Sequence, residues 1–283
     1  MNFLGIYEGS FVLLFNSSLT FAQNPQSRLW SAPPQNVQFP SNAVATLPSS
    51  SSNLPAYDGV TPSGFANNIM HDIQGNVLFS IVDGSVYDKN GLLIGQIVKP
   101  VNFAPVRGAT EWLIIPMPGN CMQYYLVGGE YQEDNPTGVA TGGDPLPYYI
   151  ILDLSIQNNL NGNPNAKGDL INPITMQQTS EAAFLSGVVT TAVHYGALHF
   201  AVTEYRPQTQ DYLLFISDAL DIDVIRVTAN GFSAPVQIAN TDMPSATNSG
   251  RGRNELEIVQ LPSPTGNGNY RIGLGYQATV QLG

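Results

Sequence analysis

Residues 72–91 read DIQGNVLFSIVDGSVYDKNG, and the reading of this stretch decides the fold. Asp72 opens a turn with Gly75 at its fourth position, the arrangement type I turns favour. Val77-Leu78-Phe79 then runs into Ile81-Val82 as a short apolar strand. Asp83-Gly84 turns the chain, Val86-Tyr87 pairs back, and Asp88-Lys89-Asn90-Gly91 turns it once more. Apolar runs punctuated by Asp, Asn and Gly mark an antiparallel meander. Gly84 is expected at a positive φ angle and Phe79 in the core. The stretch speaks of architecture and names no reaction.

Working outward, the composition agrees with strands. Only 11% of the 283 residues are charged, where globular domains average about a quarter. Asn, Gln, Ser and Thr supply the polarity, with 27 Gly and 21 Pro, and such residues compete with the helical backbone. A net charge of -11 argues against a nucleic-acid footprint and against anionic membrane surfaces. The single cysteine, Cys121, has no internal disulfide partner. Its apolar neighbours predict a buried, inert thiol.

At the N-terminus, Phe11 to Phe15 is a short apolar run, and Thr20-Phe21-Ala22 suits cleavage before Gln23. Residues 1–22 therefore read as an export signal, although residues 1–10 carry Glu8 and no Lys or Arg. A buried N-terminal strand is the other reading. No later segment has the roughly 18 apolar residues a bilayer-spanning helix needs. Residues 23–64 read as a Pro- and Ser-rich linker with one edge strand at Asn36–Phe39, and Tyr57-Asp58-Gly59 as a turn.

From Phe65 the pattern becomes regular. Strands are expected at Asn67–His71, Val77–Val82, Val86–Tyr87 and Leu92–Val98. A second group has Thr110–Ile115, Met122–Val127, Tyr148–Leu154 and Leu170–Thr175, with a long loop at Gly128–Pro147. A third has Val188–His194, Leu198–Tyr205, Tyr212–Ser217 and Val224–Val227. A last begins with Glu255–Leu261 and Tyr270–Tyr276. This predicts an all-β protein, and grouping by four favours a β-propeller with four-stranded antiparallel blades over residues 65–283. Another all-β sandwich is the alternative. The last group lacks outer strands, so either the strand near Val37 completes the ring or the chain is a fragment.

Four stretches carry a family resemblance. Residues 72–91 are followed in order by Trp112–Asn120 with Tyr124-Tyr125, by Tyr148–Ser155, and by Thr191–Phe200. Together they resemble phrases of secreted β-propeller proteins associated with bacterial gliding motility and surface secretion. His199-Phe200 stands where that family has an aromatic pair ending in Trp. The resemblance implies a propeller fold, export and a place at the cell surface. It also implies that Asp72, Asp83, Asp88 and Asp153 serve the backbone at turns and strand ends.

Chemical candidates are sparse. His194 and His199, with Glu204 beyond them, would make a metal site only if a hairpin faced them. The more ordinary reading has His194 bonding a turn backbone. The acids Asp211, Asp218, Asp221 and Asp223 lack the Gly and Glu of a calcium loop, and Asp218–Asp221 reads as a turn. Residues 158–169 read as a flexible loop. Arg251 and Arg253 sit in a Gly-rich turn, and Tyr131, Tyr148 and Tyr205 near loop ends. Most of the 13 tyrosines should fill sheet interfaces. No Gly-x-Ser-x-Gly or His-Glu-x-x-His motif occurs. The expected function is therefore a non-enzymatic platform whose loops, Gly128–Pro147 foremost, bind a protein or glycan, with no cofactor and no metal. A carbohydrate-active hydrolase with carboxylates in a propeller mouth is the alternative.

Overall fold

The computed structural model describes residues 29–32, 35–38, 49–51, 63–72, 75–100, 103–108, 111–131, 145–159, 164–185, 198–217, 222–237, 255–260 and 270–275. All regular structure among them is β. The meander around residues 72–91 is a sheet in chain order: β4 (Asn67–His71), β5 (Val77–Val82), β6 (Ser85–Asp88) and β7 (Leu93–Gln96). Before it lie β1 (Leu29–Ala32), β2 (Gln35–Gln38) and β3 (Ser49–Ser51), another antiparallel sheet. The strand expected as an edge near Val37 is the middle strand of that sheet. The Ser run pairs as β3 because a ladder needs only backbone N–H and C=O groups, and Ser keeps both where Pro would lack the N–H.

Two further sheets come next. One is β8 (Trp112–Pro116), β9 (Gln123–Tyr131), β10 (Pro145–Gln157) and β11 (Lys167–Ile171), with β12 (Ala183–Phe184) sharing the outer edge of β10 with β11. The other is β13 (His199–Val202), β14 (Tyr212–Ser217), β15 (Ile222–Thr228) and β16 (Gly231–Phe232), with β17 (Val236–Gln237) also on β15. A last pair is β18 (Glu255–Gln260) and β19 (Tyr270–Gly275). First strands neighbour one another: β1 lies by β4, β4 by β8, and β13 by both β8 and β18.

Some boundaries move. The loop expected at Gly128–Pro147 shortens at both ends, since β9 runs to Tyr131 and β10 starts at Pro145. The strand expected at Leu170–Thr175 ends at Ile171, because Asn172 turns the chain. Its side-chain oxygen accepts the N–H groups of Ile174 and Thr175. The expected strand at Val188–His194, the turn at Tyr57–Gly59 and residues 1–22 lie outside the described residues.

Packing explains the long apolar runs of the middle sheet. Tyr124, Leu126, Ile150 and Leu152 point into a core with Phe79, Ile81, Val86 and Ile94. Tyr125, Val127 and Ile151 point the other way, into a core with Leu214, Ile216, Ile225 and Val227. Successive side chains face opposite sides of a sheet. A sheet covered on both faces therefore reads as continuous hydrophobic sequence rather than alternation. Trp112 is buried at the join, its indole N–H donating to the Arg107 carbonyl at 3.1 Å. Across the ladder stands Gly128, where a Cβ would lie 2.7 Å from the Trp112 ring. Only glycine leaves the indole its place.

Candidate functional surface

The aspartates at turns and strand ends are committed to the chain itself. Asp72 accepts from the backbone and side-chain N–H groups of Asn76. Asp88 accepts from the N–H groups of Asn90 and Leu92, and its other oxygen takes the Lys167 N–H at 3.2 Å, tying the first sheet to the second. Asp153 holds Gln123 and both donors of Ser155. Asp169 stands opposite Asp153 in the β10–β11 register. Burial pushes its carboxyl up, against the lowering effect of the N–H groups of Asn159 and Leu170. Asp72, Asp88 and Asp153 thus each bond backbone at a turn or strand end, and Asp169 bonds the N–H groups of Asn159 and Leu170.

Asp83 does the most in this respect. One oxygen accepts from the Ser63 hydroxyl at 2.9 Å and from the N–H groups of Phe65 and Ala66. The other accepts the Gly64 N–H at 2.7 Å. The Asp83 N–H returns to the Ala66 carbonyl at 2.8 Å. This clamps residues 63–66 onto the β5–β6 turn and holds Phe65 outward, 57% exposed. The Arg107 guanidinium carbon lies 5.0 Å from the centre of the Phe65 ring, within cation–π range. Arg107 is fixed from behind: Val106 is buried beneath, and the Arg107 carbonyl accepts from Trp112. Pro105 and Arg107 are exposed on either side of buried Val106. An aromatic ring, a proline and a guanidinium are thereby presented on anchored backbone.

The acid group singled out in sequence resolves differently from a calcium loop. Asp211 is fully buried and accepts from Arg206, Arg226 and Thr209. Burial alone would raise its pKa. The hydrogen bonds from Thr209, Arg226 and Arg206, with the Arg206 charge, outweigh that and hold the carboxyl below its ordinary range. Asp223 is buried on β15, and Asp218 and Asp221 lie outside the described residues. Two arginines far apart in sequence turn Asp211 into a clasp.

Of the histidine pair only His199 lies among the described residues. His199 is buried on β13, opposite Ser217, and burial pushes its pKa down. Glu204 is exposed, and His194 lies outside the described residues. Among the described residues no group of three or more His, Cys, Asp or Glu side chains is placed to hold a metal ion.

Other expectations divide. Cys121 is exposed, correcting the expectation of a buried thiol, because it sits in the turn between β8 and β9 rather than in β9 itself. Residues 158–169 are not wholly a loop: buried Asn158 donates to the carbonyls of Ile94 and Gly168, and β11 begins at Lys167. Tyr148 is buried against Phe184, whereas Tyr205 is exposed beside Tyr212. Arg251 and Arg253 lie outside the described residues. The pairing of Phe65 with Arg107 leaves no sequence signal, since the two come together only through the Asp83 clamp.

The fold and its surface define an all-β protein of stacked antiparallel sheets. No family model, curated protein or solved structure matches the chain.

Proposed function

We propose that this chain is an exported, non-enzymatic β-propeller that serves as a binding platform for a protein or glycan at the cell surface or envelope. The observation that carries the reading is the Phe65–Arg107 pair, an exposed aromatic under a guanidinium on backbone clamped by Asp83. Ordering such a surface before the ligand arrives lowers the entropic cost of binding. The propeller reading draws support from the four-strand meander, from first strands that neighbour one another, and from a middle sheet covered on both faces. The surface-assembly setting rests on the four resembling stretches.

The test is a mixed array of glycans and envelope proteins probed with purified chain, alongside a glycan and ester hydrolysis panel. A ligand whose binding is lost in Phe65→Ala at unchanged melting temperature, with no turnover, is the expected result. Hydrolysis abolished by one Asp or Glu substitution, with melting unchanged, would replace the platform with the hydrolase.

A further inference from the structure

We infer that Arg206 and Arg226 form an anion site that takes the sulfate ester group of a sulfated ligand. The site goes beyond the platform reading and uses none of the residues of the Phe65 surface. Arg206 and Asp211 close one turn, and Arg226 reaches the same acid from β15. Arg206 donates from Nε to Oδ1 of Asp211 at 2.7 Å and from Nη2 to Oδ2 at 2.8 Å. Arg226 donates from Nε to that Oδ2 at 2.7 Å, and the Thr209 hydroxyl donates to Oδ1. Each carboxylate oxygen thus holds two donors, and Oδ2 sets the guanidiniums side by side. Neither Nη1 group has a hydrogen bond or ion pair among the described residues. The side chains of Arg206 and Arg226 are 26% and 54% exposed, so a ligand in solution can reach them.

Charge and shape select the ligand. Neutralising Asp211 takes one arginine, and the second leaves one positive charge over. A chain with 10 Lys and Arg residues and a net charge of -11 spends two of those cations here. Asp223 does not cancel the surplus, because strand alternation puts it on the face of β15 opposite Arg226. Exposed Glu204 forms no ion pair among the described residues. A monoanion balances the remaining charge. A phosphate monoester brings a second charge, which the Asp211 carboxylate and the acidic chain both repel. A planar carboxylate matches the Nε–Nη2 edge of a guanidinium, and Asp211 already occupies that edge of Arg206. The donors left over are the Nη1 ends of two separate forks. A tetrahedral group with three outward oxygens bridges these.

The experiment titrates the full chain with glucose 6-sulfate, glucose 6-phosphate, glucuronate and glucose, which share a ring and differ in the charged group. Glucose 6-sulfate should bind at least about tenfold more tightly than the others, and added salt should weaken it. Arg226→Gln leaves Asp211 paired with Arg206 and Thr209, and should lower that affinity at least about tenfold. If this variant fails to fold, the Nε–H NMR signals of Arg206 and Arg226 in the parent chain decide. They should move on addition of glucose 6-sulfate, and unmoved signals overturn the site. Equal or tighter binding of the phosphate or of glucuronate overturns the sulfate assignment in favour of that group. Binding of none of them, or an unchanged affinity in Arg226→Gln, removes the site. Phe65→Ala should leave sulfate binding intact, so this site and the platform surface fail separately. Sulfate binding lost in that variant would move the anion to the Phe65 surface and overturn the assignment.

Discussion

Asp211 shows how one buried charge is made tolerable. A carboxylate taken out of water is costly unless paired and hydrogen-bonded, and here two guanidiniums and a hydroxyl surround it. Asp211→Asn leaves Arg206 facing an amide where it had a charge. Because Arg226 is half exposed and screened, the expected cost sits near the low end for a broken buried pair, about 3 kcal/mol, read by chemical denaturation. The sign with pH is fixed by direction. A carboxyl held below its ordinary 3.8 contributes stability that is present above that value and lost as pH falls through the folded pKa. His71 and His199, both pushed down by burial, add an earlier loss as pH drops below their ordinary 6.5. Acid titration of the melting temperature should therefore fall in two stages, and Asp211→Asn should flatten only the second. An unchanged second stage would show that the clasp does not stabilise the fold.

At the scale of elements, the β5–β6 hairpin carries the next prediction. Asp83 and Gly84 have φ angles of 49° and 79°, the two positive values a two-residue hairpin turn of this twist requires. Glycine accepts this freely, and Asp more readily than most residues. The turn is also tucked under a neighbouring segment. A Cβ at Gly84 would lie 1.9 Å from the Val106 carbonyl oxygen. Gly84→Val should thus cost more than the 1–3 kcal/mol of backbone strain alone, about 4 kcal/mol or more once overpacking is added. A thermal melt within a few degrees of the parent would refute this. The turn itself is legible in the sequence, because Asp-Gly between apolar runs has a local mechanism. The collision is not, because Val106 arrives from 22 residues further on. The same division runs through the surface. Asp83 can be read as a turn residue, but its grip on residues 63–66, and so the exposure of Phe65, depends on the fold. Cys121 misleads for the opposite reason. Its apolar neighbours belong to β9, while it lies in the turn before that strand.

Across the molecule, the middle sheet is shared property of two cores, and adjacent residues make this testable. Ile150 and Ile151 are consecutive on β10 and both buried, yet Ile150 faces the core with Phe79 and Leu126 and Ile151 the core with Leu214 and Ile225. Truncating either to Ala should cost about 2–5 kcal/mol, the lost transfer energy plus that of the cavity left behind. If the sheets unfold as one body, both variants shift a single cooperative transition. Their native-state hydrogen exchange should still differ. Ile150→Ala should loosen β5 and β6 ahead of β14, and Ile151→Ala the reverse, because local opening tracks the packing that was lost. Two resolved transitions, each moved by only one variant, would mean that the sheets melt independently and that the shared middle sheet does not couple them. Coupling matters for a binding platform. A surface anchored through Asp83, Val106 and Trp112 to the first core keeps its geometry only while that core and its neighbour stand together.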